Sequence, residues 1–268
     1  MTKVRPAAVA GIFYPGTARE LRGAVQEYLD QAPPPEGAPP KAAIVPHAGY
    51  VYSAPVAATA YAAFAPLRGV VRRVVLLGPS HRVPLTGLAA PTTEAFDTPL
   101  GPVPIDRAAL EEVRHLPQVV PLDAAHADEH SLEVQLPFLM ETLESFNLVP
   151  FAVGHVEGPE VVQVLEALWG GPETLVVISS DLSHYHDYET ACRIDRDTAR
   201  AIEELRADAI GHNDACGCGG IRGLIGVAQS RSLEVRAVDL RNSGDTAGSR
   251  SQVVGYGSFL FFEPSPNA

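Results

Sequence analysis

The stretches AIVPHAGY (43–50), VVLLGPSHRVP (74–84) and LVVISSDLSHYH (175–186) decide the fold. Each begins with an apolar run, continues through small residues or turn formers, and then reaches a histidine. Continuous apolar runs of this length are typical of strands that are covered on both faces. Because ligands bind at the carboxyl ends of parallel strands, the loops that carry His47, His81 and His184 are predicted to converge on one crevice.

The rest of the chain repeats an alternation of short apolar runs and longer amphipathic segments. The predicted strands are 42–45, 74–77 and 175–178 in these three stretches, followed elsewhere by 148–153, 233–238 and 253–262. Helices are predicted near Ala18–Leu29 and at Val56–Phe64, Asp106–Leu116, Glu129–Ser145, Pro159–Leu168, Glu189–Leu205 and Gly219–Ser230. This alternation predicts an α/β fold over residues 1–268, a single domain with a mostly parallel central sheet flanked by helices. The proline-rich segment 31–41 is interpreted as an extended loop of that domain.

Composition narrows the classes of partner. The 268 residues include 46% hydrophobic and 19% charged residues, which is enough apolar material for a sizeable core. The net charge of −12 repels polyanions, so binding to a nucleic-acid backbone or an anionic membrane is not expected. No run of 18 apolar residues or signal peptide is visible, and we expect a cytoplasmic protein with small-molecule or protein partners.

The three cysteines do not make a disulfide framework. Cys216 lies in a glycine-rich turn that opens an apolar helix, where the helix dipole is expected to lower the pKa of a thiol. Cys218 is the rival for the same role as a metal ligand or nucleophile. Cys192, within a predicted helix, is interpreted as a packing residue.

The segment 123–143 places histidines and carboxylates beside an apolar helical stripe. Asp128 or Ser131 is expected to cap the helix, and Glu129 beside them also suits the dipole of the first turn. His130 lies in the same turn. For Glu133, one turn later, the pattern leaves both a crevice and the solvent open.

Two imidazoles with one anionic ligand would form a mononuclear metal site with open positions. A carboxylate as the anion suits iron, whereas a thiolate favours softer ions such as zinc or copper. His184 is a candidate general base that Asp181 would orient. A nucleophilic pair of Cys216 and His184 is a further reading, but it leaves His47 and His81 without a role. No GxSxG, GxxxxGK[ST] or HExxH motif is present, and no GxGxxG follows a strand.

Eight ordered motifs resemble those of the Memo family, the B component of the AmmeMemoRadiSam system of bacteria and archaea. The resemblance spans Arg5 to Phe262 and rests on VAGIFYPG, IVPHAGYVYSAPVAATAY, VVLLGPSHRVPL, FDTPLGPVPID, DEHSLEVQLPFL, VISSDLSHYH, ACGCGGI and NSGDTAGSRSQVVGY. The family is similar to the catalytic subunit of class III extradiol dioxygenases, which are non-haem iron(II) enzymes. The resemblance therefore implies an extradiol dioxygenase-like α/β fold.

The same resemblance implies roles for individual residues. His47, His81 and Cys216 match the metal ligands, with Fe(II) as the first expectation and copper or zinc as alternatives. His184 and Asp181 match the motif of the dioxygenase base, and His130 resembles a second histidine of the cavity. The dioxygenases have a glutamate where this chain has a cysteine, so ring cleavage does not follow from the fold.

Two functions remain in view at this level. The first is a metal-dependent oxidoreductase that acts on a small phenolic substrate with dioxygen. The second is a binding or adaptor module that recognises a peptide or partner protein. Family context adds a radical SAM protein and an AMMECR-type protein as expected partners, whereas the substrate and oligomeric state are not encoded in any recognisable motif.

Overall fold

Four of the predicted apolar runs form adjacent parallel strands at the centre of the protein. In the computed structural model, which describes residues 3–34 and 37–264, these strands are almost completely buried. The strands are β1 (Val4–Arg5), β2 (Ala42–Val45), β3 (Arg73–Pro79), β4 (Leu88–Ala90), β5 (Ala95–Phe96), β6 (Val103–Pro104), β7 (Val119–Pro121), β8 (Asn147–Val153), β9 (Thr174–Ser179), β10 (His184–His186), β11 (Glu234–Asn242) and β12 (Val253–Phe262).

The main sheet is mixed, so the prediction of a mostly parallel sheet is corrected. Its order is β10-β12-β2-β9-β3-β8-β4-β7, with β11 on the free side of β12. Neighbours are parallel from β2 to β8, but β12 is antiparallel to β2, β10 and β11, and β4 is antiparallel to β8. The direction of β12 relative to β11 follows from the segment that joins the two strands. Residues 243–252 join β11 to β12 without a crossover helix, and a connection of this kind returns the chain antiparallel.

Helices form where the sequence predicts them, with one exception. They are α1 (Ala18–Gln31), α2 (Tyr50–Ala62), α3 (Arg107–Val113), α4 (Ala124–Ala127), α5 (Leu136–Thr142), α6 (Gly158–Leu168), α7 (Tyr188–Glu203) and α8 (Cys218–Arg231). The long helix predicted at Glu129–Ser145 is wrong, because α5 begins only at Leu136 after a 3-10 turn at Glu133–Gln135. Asp128 and Ser131 therefore do not cap it, and its N-cap residue Gln135 makes no side-chain cap.

The helices flank the sheet in two groups. Helices α1, α2 and α5 contact one another, and α2 also contacts β2. Helices α3, α6 and α8 form the second group, and α8 contacts β3 and β9. One continuous cluster of buried apolar side chains runs through both groups and the sheet, as expected for a single α/β domain.

Local capping explains where several helices begin. Thr17 accepts a hydrogen bond from the backbone N–H of Glu20, and Asp187 accepts one from Thr190. Glu157 and Glu160 form a reciprocal capping box at the start of α6. Residues 35 and 36 of the predicted proline-rich loop lie outside the described residues. Among the described helices, none is long and apolar enough to cross a membrane.

A second, three-stranded sheet of β5 between β1 and β6 lies beside the N-terminal segment. Arg5 at the end of β1 is buried, and its guanidinium donates to the carbonyl oxygens of His126 and Glu129, both at 2.7 Å. This small sheet therefore anchors the chain that precedes α5, next to the histidine loops of the main sheet.

Candidate metal centre

The loops after β2, β3 and β9 meet at the carboxyl edge of the parallel strands. His47 follows β2, His81 follows β3, and Asp181 follows β9, while His184 begins β10. With His130, these side chains line one cavity of about 630 Å³. The predicted convergence of the three histidine loops is thus present in the structure.

The loops of His47 and His81, together with the turn before α8, supply a compact set of donor atoms. One ligand atom from each of His47, His81 and Cys216 lies within 4.8 Å of the other two. The thiol sulfur of Cys216 is 3.4 Å from Nε2 of His47, and the two imidazole centroids are 5.3 Å apart. His47 is buried, Cys216 is half-buried, and the side chain of His81 is 31% exposed. A small ligand can therefore reach the set from the His81 side.

A serine hydroxyl orients His47. The hydroxyl of Ser179 donates to the carbonyl of Ser131 at 2.6 Å, so toward Nδ1 of His47, 2.9 Å away, it can only accept. The proton of His47 therefore resides on Nδ1, and the lone pair of Nε2 faces the thiol of Cys216. A hydrogen-bonded Nδ1–H with a free Nε2 is the arrangement that histidine metal ligands adopt in proteins.

A buried carboxylate orients His81 in the same way. Oε1 of Glu129 is 3.0 Å from Nδ1 of His81, and Oε2 accepts the backbone N–H of His81 at 2.5 Å. Burial by itself raises the pKa of Glu129, but the hydrogen bonds and charge of His81 and the N–H of Ser131 lower it to about 2. The ionised carboxylate can only accept, so Nδ1 of His81 donates, and Nε2 is the ring nitrogen left for a metal.

Glu129 is the functional candidate that the sequence pattern assigned to another role. The sequence pattern favours a place in the first turn of a helix, but no helix begins at this position. Instead Glu129 forms a second group of possible ligands with His81 and His130, whose donor atoms also lie within 4.8 Å of one another. Nδ1 of His130 is 3.3 Å from Glu129 but makes no hydrogen bond with any residue that the structure describes. The adjacency of Glu129 to His130 in the sequence was the available signal.

Burial controls protonation in this region. Burial, followed by the charge of His81, lowers the pKa of His47 to about 3, and burial lowers that of His130 to about 4. Both rings are therefore neutral at pH 7, as ligands must be. Burial raises the pKa of Cys216 to about 12, with a further contribution from the Asp181 charge.

The expected lowering of the Cys216 pKa is therefore wrong. Cys216 lies two residues before the first residue of α8, and desolvation outweighs the dipole of that helix. A cation at the donor set would supply the charge that stabilises a thiolate. The chemistry of the three donors thus fits a metal ion. Without a metal, the raised pKa of Cys216 disfavours a thiolate nucleophile at this position.

Asp181 does not make the hydrogen bond expected of it. Its carboxylate accepts the backbone N–H of His47 at 2.7 Å, and among the described residues none of its hydrogen bonds reaches His184. Burial raises the pKa of Asp181. The residue therefore braces the loop of His47, while His184 is placed by the pairing of β10 with β12 opposite Val254.

The remaining cysteines lie apart from the donor set. Cys218 is buried at the start of α8, with its sulfur 3.2 Å from Nδ1 of His212. Cys192 is half-buried on α7 and accepts a hydrogen bond from Asn242 at 3.4 Å. Neither belongs to the groups of neighbouring donor atoms in the described part of the chain.

Comparison with known proteins adds the family. The family described as "Memo-like protein" matches residues 5–260, which is nearly the whole chain. The chain belongs to the Memo family. A "MEMO1 family protein" of Aquifex aeolicus is 37% identical to this Memo protein over 275 residues, covering 97% of the chain and 99% of the relative.

Two further relatives show the same full-length similarity to this Memo protein. One from Ignicoccus hospitalis is 36% identical, with 96% of the chain and 98% of the relative covered. One from Thermotoga neapolitana is 34% identical, with 94% and 98% covered. Both are named "MEMO1 family protein", which states a family and no reaction.

Proposed function

We propose that this Memo protein is a metal-dependent oxidoreductase that acts on a small phenolic substrate with dioxygen. The proposal includes iron(II) as the metal, with copper as the alternative, and an extradiol dioxygenase-like relationship of the fold. One observation carries it: His47, His81 and Cys216 present three donor atoms within 4.8 Å of one another, and His47 and His81 line a cavity that His130 and His184 also line.

The residues present suit such a metal. Two imidazoles held in fixed orientations and one thiol form a three-ligand set that leaves coordination positions open. When bound, the metal supplies redox capacity and a positive charge that favours the ionised form of a phenol. Ser179 and Glu129 hold the two imidazoles in their orientation, so the set is organised before any ligand arrives.

Two histidines of the cavity handle protons in this proposal. His184 lines the cavity and serves as the base that takes a proton from a substrate hydroxyl, a task suited to imidazole near neutral pH. His130 lines the same cavity and is neutral at pH 7, so its imidazole can hydrogen-bond to a ligand. The ring of Phe13 packs against His130 in a tilted arrangement, with the ring centroids 4.7 Å apart.

The test is metal analysis of protein purified without oxygen. Wild type is expected to hold about one iron or copper ion per chain, as a single three-ligand site should. His47→Ala and Cys216→Ala each remove one ligand and are expected to lose the metal, whereas Cys218→Ala is the matched control that keeps it. Loss of metal in Cys218→Ala with retention in Cys216→Ala would contradict the ligand assignment.

Oxygen uptake then tests the reaction class. Metal-loaded protein is screened against catechols and other small phenols, with His184→Gln as the variant that lacks the proposed base. Turnover that falls in His184→Gln while the metal content is unchanged supports the proposal. Absence of turnover of every phenol by fully iron-loaded protein counts against it.

Exposed apolar side chains around the cavity favour a second candidate, a binding module for a peptide. Tyr52 and Tyr185 line the cavity and are exposed, and Ile12 and Val51 are exposed directly before the lining residues Phe13 and Tyr52. Exposed apolar clusters mark interaction sites. Selection from a peptide library against wild type and Cys216→Ala distinguishes the two functions, because an adaptor would retain the same peptides after loss of the metal.

A further inference from the structure

One arginine faces the cavity of the candidate metal centre. Arg82 directly follows His81, is exposed, and lines the same cavity. Among the lining residues in the described part of the chain, Arg82 is the only lysine or arginine and Asp181 is the only aspartate or glutamate. The cavity therefore combines one permanent cation with one carboxylate that lies at its buried end.

The guanidinium of Arg82 has no protein partner within the described residues, although the chain carries a net charge of −12. Most arginines of this chain are paired. Arg73 contacts Asp106 at 2.9 Å, and Arg231 contacts Glu166. Among the described residues, the carboxylate of Asp181 accepts the backbone N–H of His47 and makes no ion pair with Arg82. The positive charge of Arg82 is therefore available to a ligand.

Aromatic side chains complete the mouth of the cavity. Tyr52 is 39% exposed and Tyr185 is 71% exposed, and both line the cavity together with Phe13. The backbone of Tyr185 has φ of 61°, in the left-handed region that non-glycine residues rarely adopt. Such conformations persist where the surrounding structure holds them, and they cluster at ligand sites. Flat rings at the mouth suit contact with an aromatic ligand.

We propose that Arg82 forms an anion subsite, so that the cavity selects an aromatic compound that bears a carboxylate group. The planar guanidinium matches a carboxylate with two parallel hydrogen bonds, and the aromatic rings contact the apolar body of the ligand. A cavity of about 630 Å³ has the size of ordinary small-molecule sites. This inference rests on the proposed function, which supplies the phenolic part of the substrate. It adds that the substrate carries a negatively charged carboxylate group.

The experiment compares two probes that differ by one carboxylate, catechol and 3,4-dihydroxybenzoate. Each is titrated calorimetrically into oxygen-free, metal-loaded wild type, Arg82→Gln and Arg82→Lys. Arg193→Gln is the matched control, since Arg193 is an exposed arginine on α7 that does not line the cavity. The same titrations are repeated with metal-free protein.

Wild type is expected to bind 3,4-dihydroxybenzoate about tenfold more tightly than catechol, as one charge-assisted contact would produce. Arg82→Gln should lose this preference, Arg82→Lys should keep part of it, and Arg193→Gln should keep all of it. The preference should also shrink as salt is added, because the subsite is partly exposed.

Two outcomes would overturn the subsite: an equal affinity ratio in wild type and Arg82→Gln, or no binding of either probe to wild type. The result is distinguishable from failure of the proposed function. A carboxylate preference in metal-free protein without oxygen uptake would support the subsite and reject the oxidoreductase. Oxygen uptake with catechol and no carboxylate preference would reject the subsite alone.

Discussion

Glu129 and Glu133 lie four residues apart and are both buried, but their surroundings are opposite in character. Glu133 pairs with the guanidinium of Arg5 and accepts hydrogen bonds from the Tyr14 hydroxyl at 2.6 Å and the backbone N–H groups of Ala8 and Val9. Glu129 accepts from His81 and from the backbone N–H groups of His130 and Ser131 at 2.9 Å.

The difference shows that the partner decides the role of a buried carboxylate. A guanidinium is always charged, so Glu133 and Arg5 form a permanent tie between the N-terminal segment and the segment before α5. An imidazole exchanges protons and binds metals, so Glu129 controls the orientation of a candidate ligand. The two are connected, because Arg5 also donates to the backbone carbonyl of Glu129. Four variants test this contrast.

Glu133→Gln is expected to have the largest effect. It leaves the buried guanidinium of Arg5 without a carboxylate, and breaking a buried pair in this way costs about 3–5 kcal/mol in the free energy of unfolding. Urea denaturation of metal-free protein measures it. The control is Glu141→Gln in the more exposed pair of Arg22 and Glu141, which should cost less than about 1 kcal/mol. If the two variants lost the same free energy of unfolding, the buried pair of Arg5 and Glu133 would stabilise the fold no more than the exposed pair.

Glu129→Gln is expected to act on metal binding. The amide lacks the negative charge that fixes the proton on Nδ1 of His81, and loss of such an outer partner lowers metal affinity about 10–100-fold. Competition against a chelator, on protein whose fold is checked by circular dichroism, measures the affinity. Glu133→Gln, at a temperature where it remains folded, should keep wild-type affinity. An unchanged affinity in Glu129→Gln would remove the proposed difference between the two carboxylates.

His126, which lies near Arg5, is expected to make the free energy of unfolding depend on pH. It is buried on the Arg5 side, and burial lowers its pKa from 6.5 to about 4. Between these values the unfolded chain binds a proton that the folded chain does not, so the free energy of unfolding falls as the pH drops through this window. One such proton contributes about 1.4 kcal/mol per pH unit.

His126→Gln should flatten that slope in metal-free protein by about one proton, which amounts to roughly 2 kcal/mol at pH 5. Glutamine retains a donor for the carbonyl of Ala89, which His126 contacts at 2.9 Å. Chemical denaturation at a series of pH values checks the result. Parallel curves for the variant and wild type would show that His126 does not titrate in this window.

Tyr14→Phe is expected to have the smallest effect. It removes one of the donors to Glu133 and leaves Arg5 and the two backbone N–H groups in place, at a cost of about 1 kcal/mol in the free energy of unfolding. Urea denaturation again provides the measurement. If Tyr14→Phe lowered the free energy of unfolding as much as Glu133→Gln does, the hydroxyl of Tyr14, rather than the ion pair, would be the main stabilising partner of Glu133.

Much of the fold could be predicted because local patterns report burial. The runs at 42–45 and 253–262 are strands with those bounds, and the starts of α6 and α7 lie within a residue of the predicted ones. The grouping of His47, His81 and Cys216 was predicted from the family motifs. The number of residues between three distant loops does not by itself give the distance between them in space. The structure brings these three donors together.

What the sequence by itself determined is therefore the six longest strands, most of the helices, the positions of the histidine loops and the family. Only the tertiary structure decided the antiparallel direction of β12, the protonation of Cys216 and the partners of Glu129 and Glu133. The reason is that apolar periodicity is a local property, whereas strand direction, desolvation and ion pairing depend on distant residues. Glu133 lies 128 positions from Arg5, and Glu129 lies 48 positions from His81.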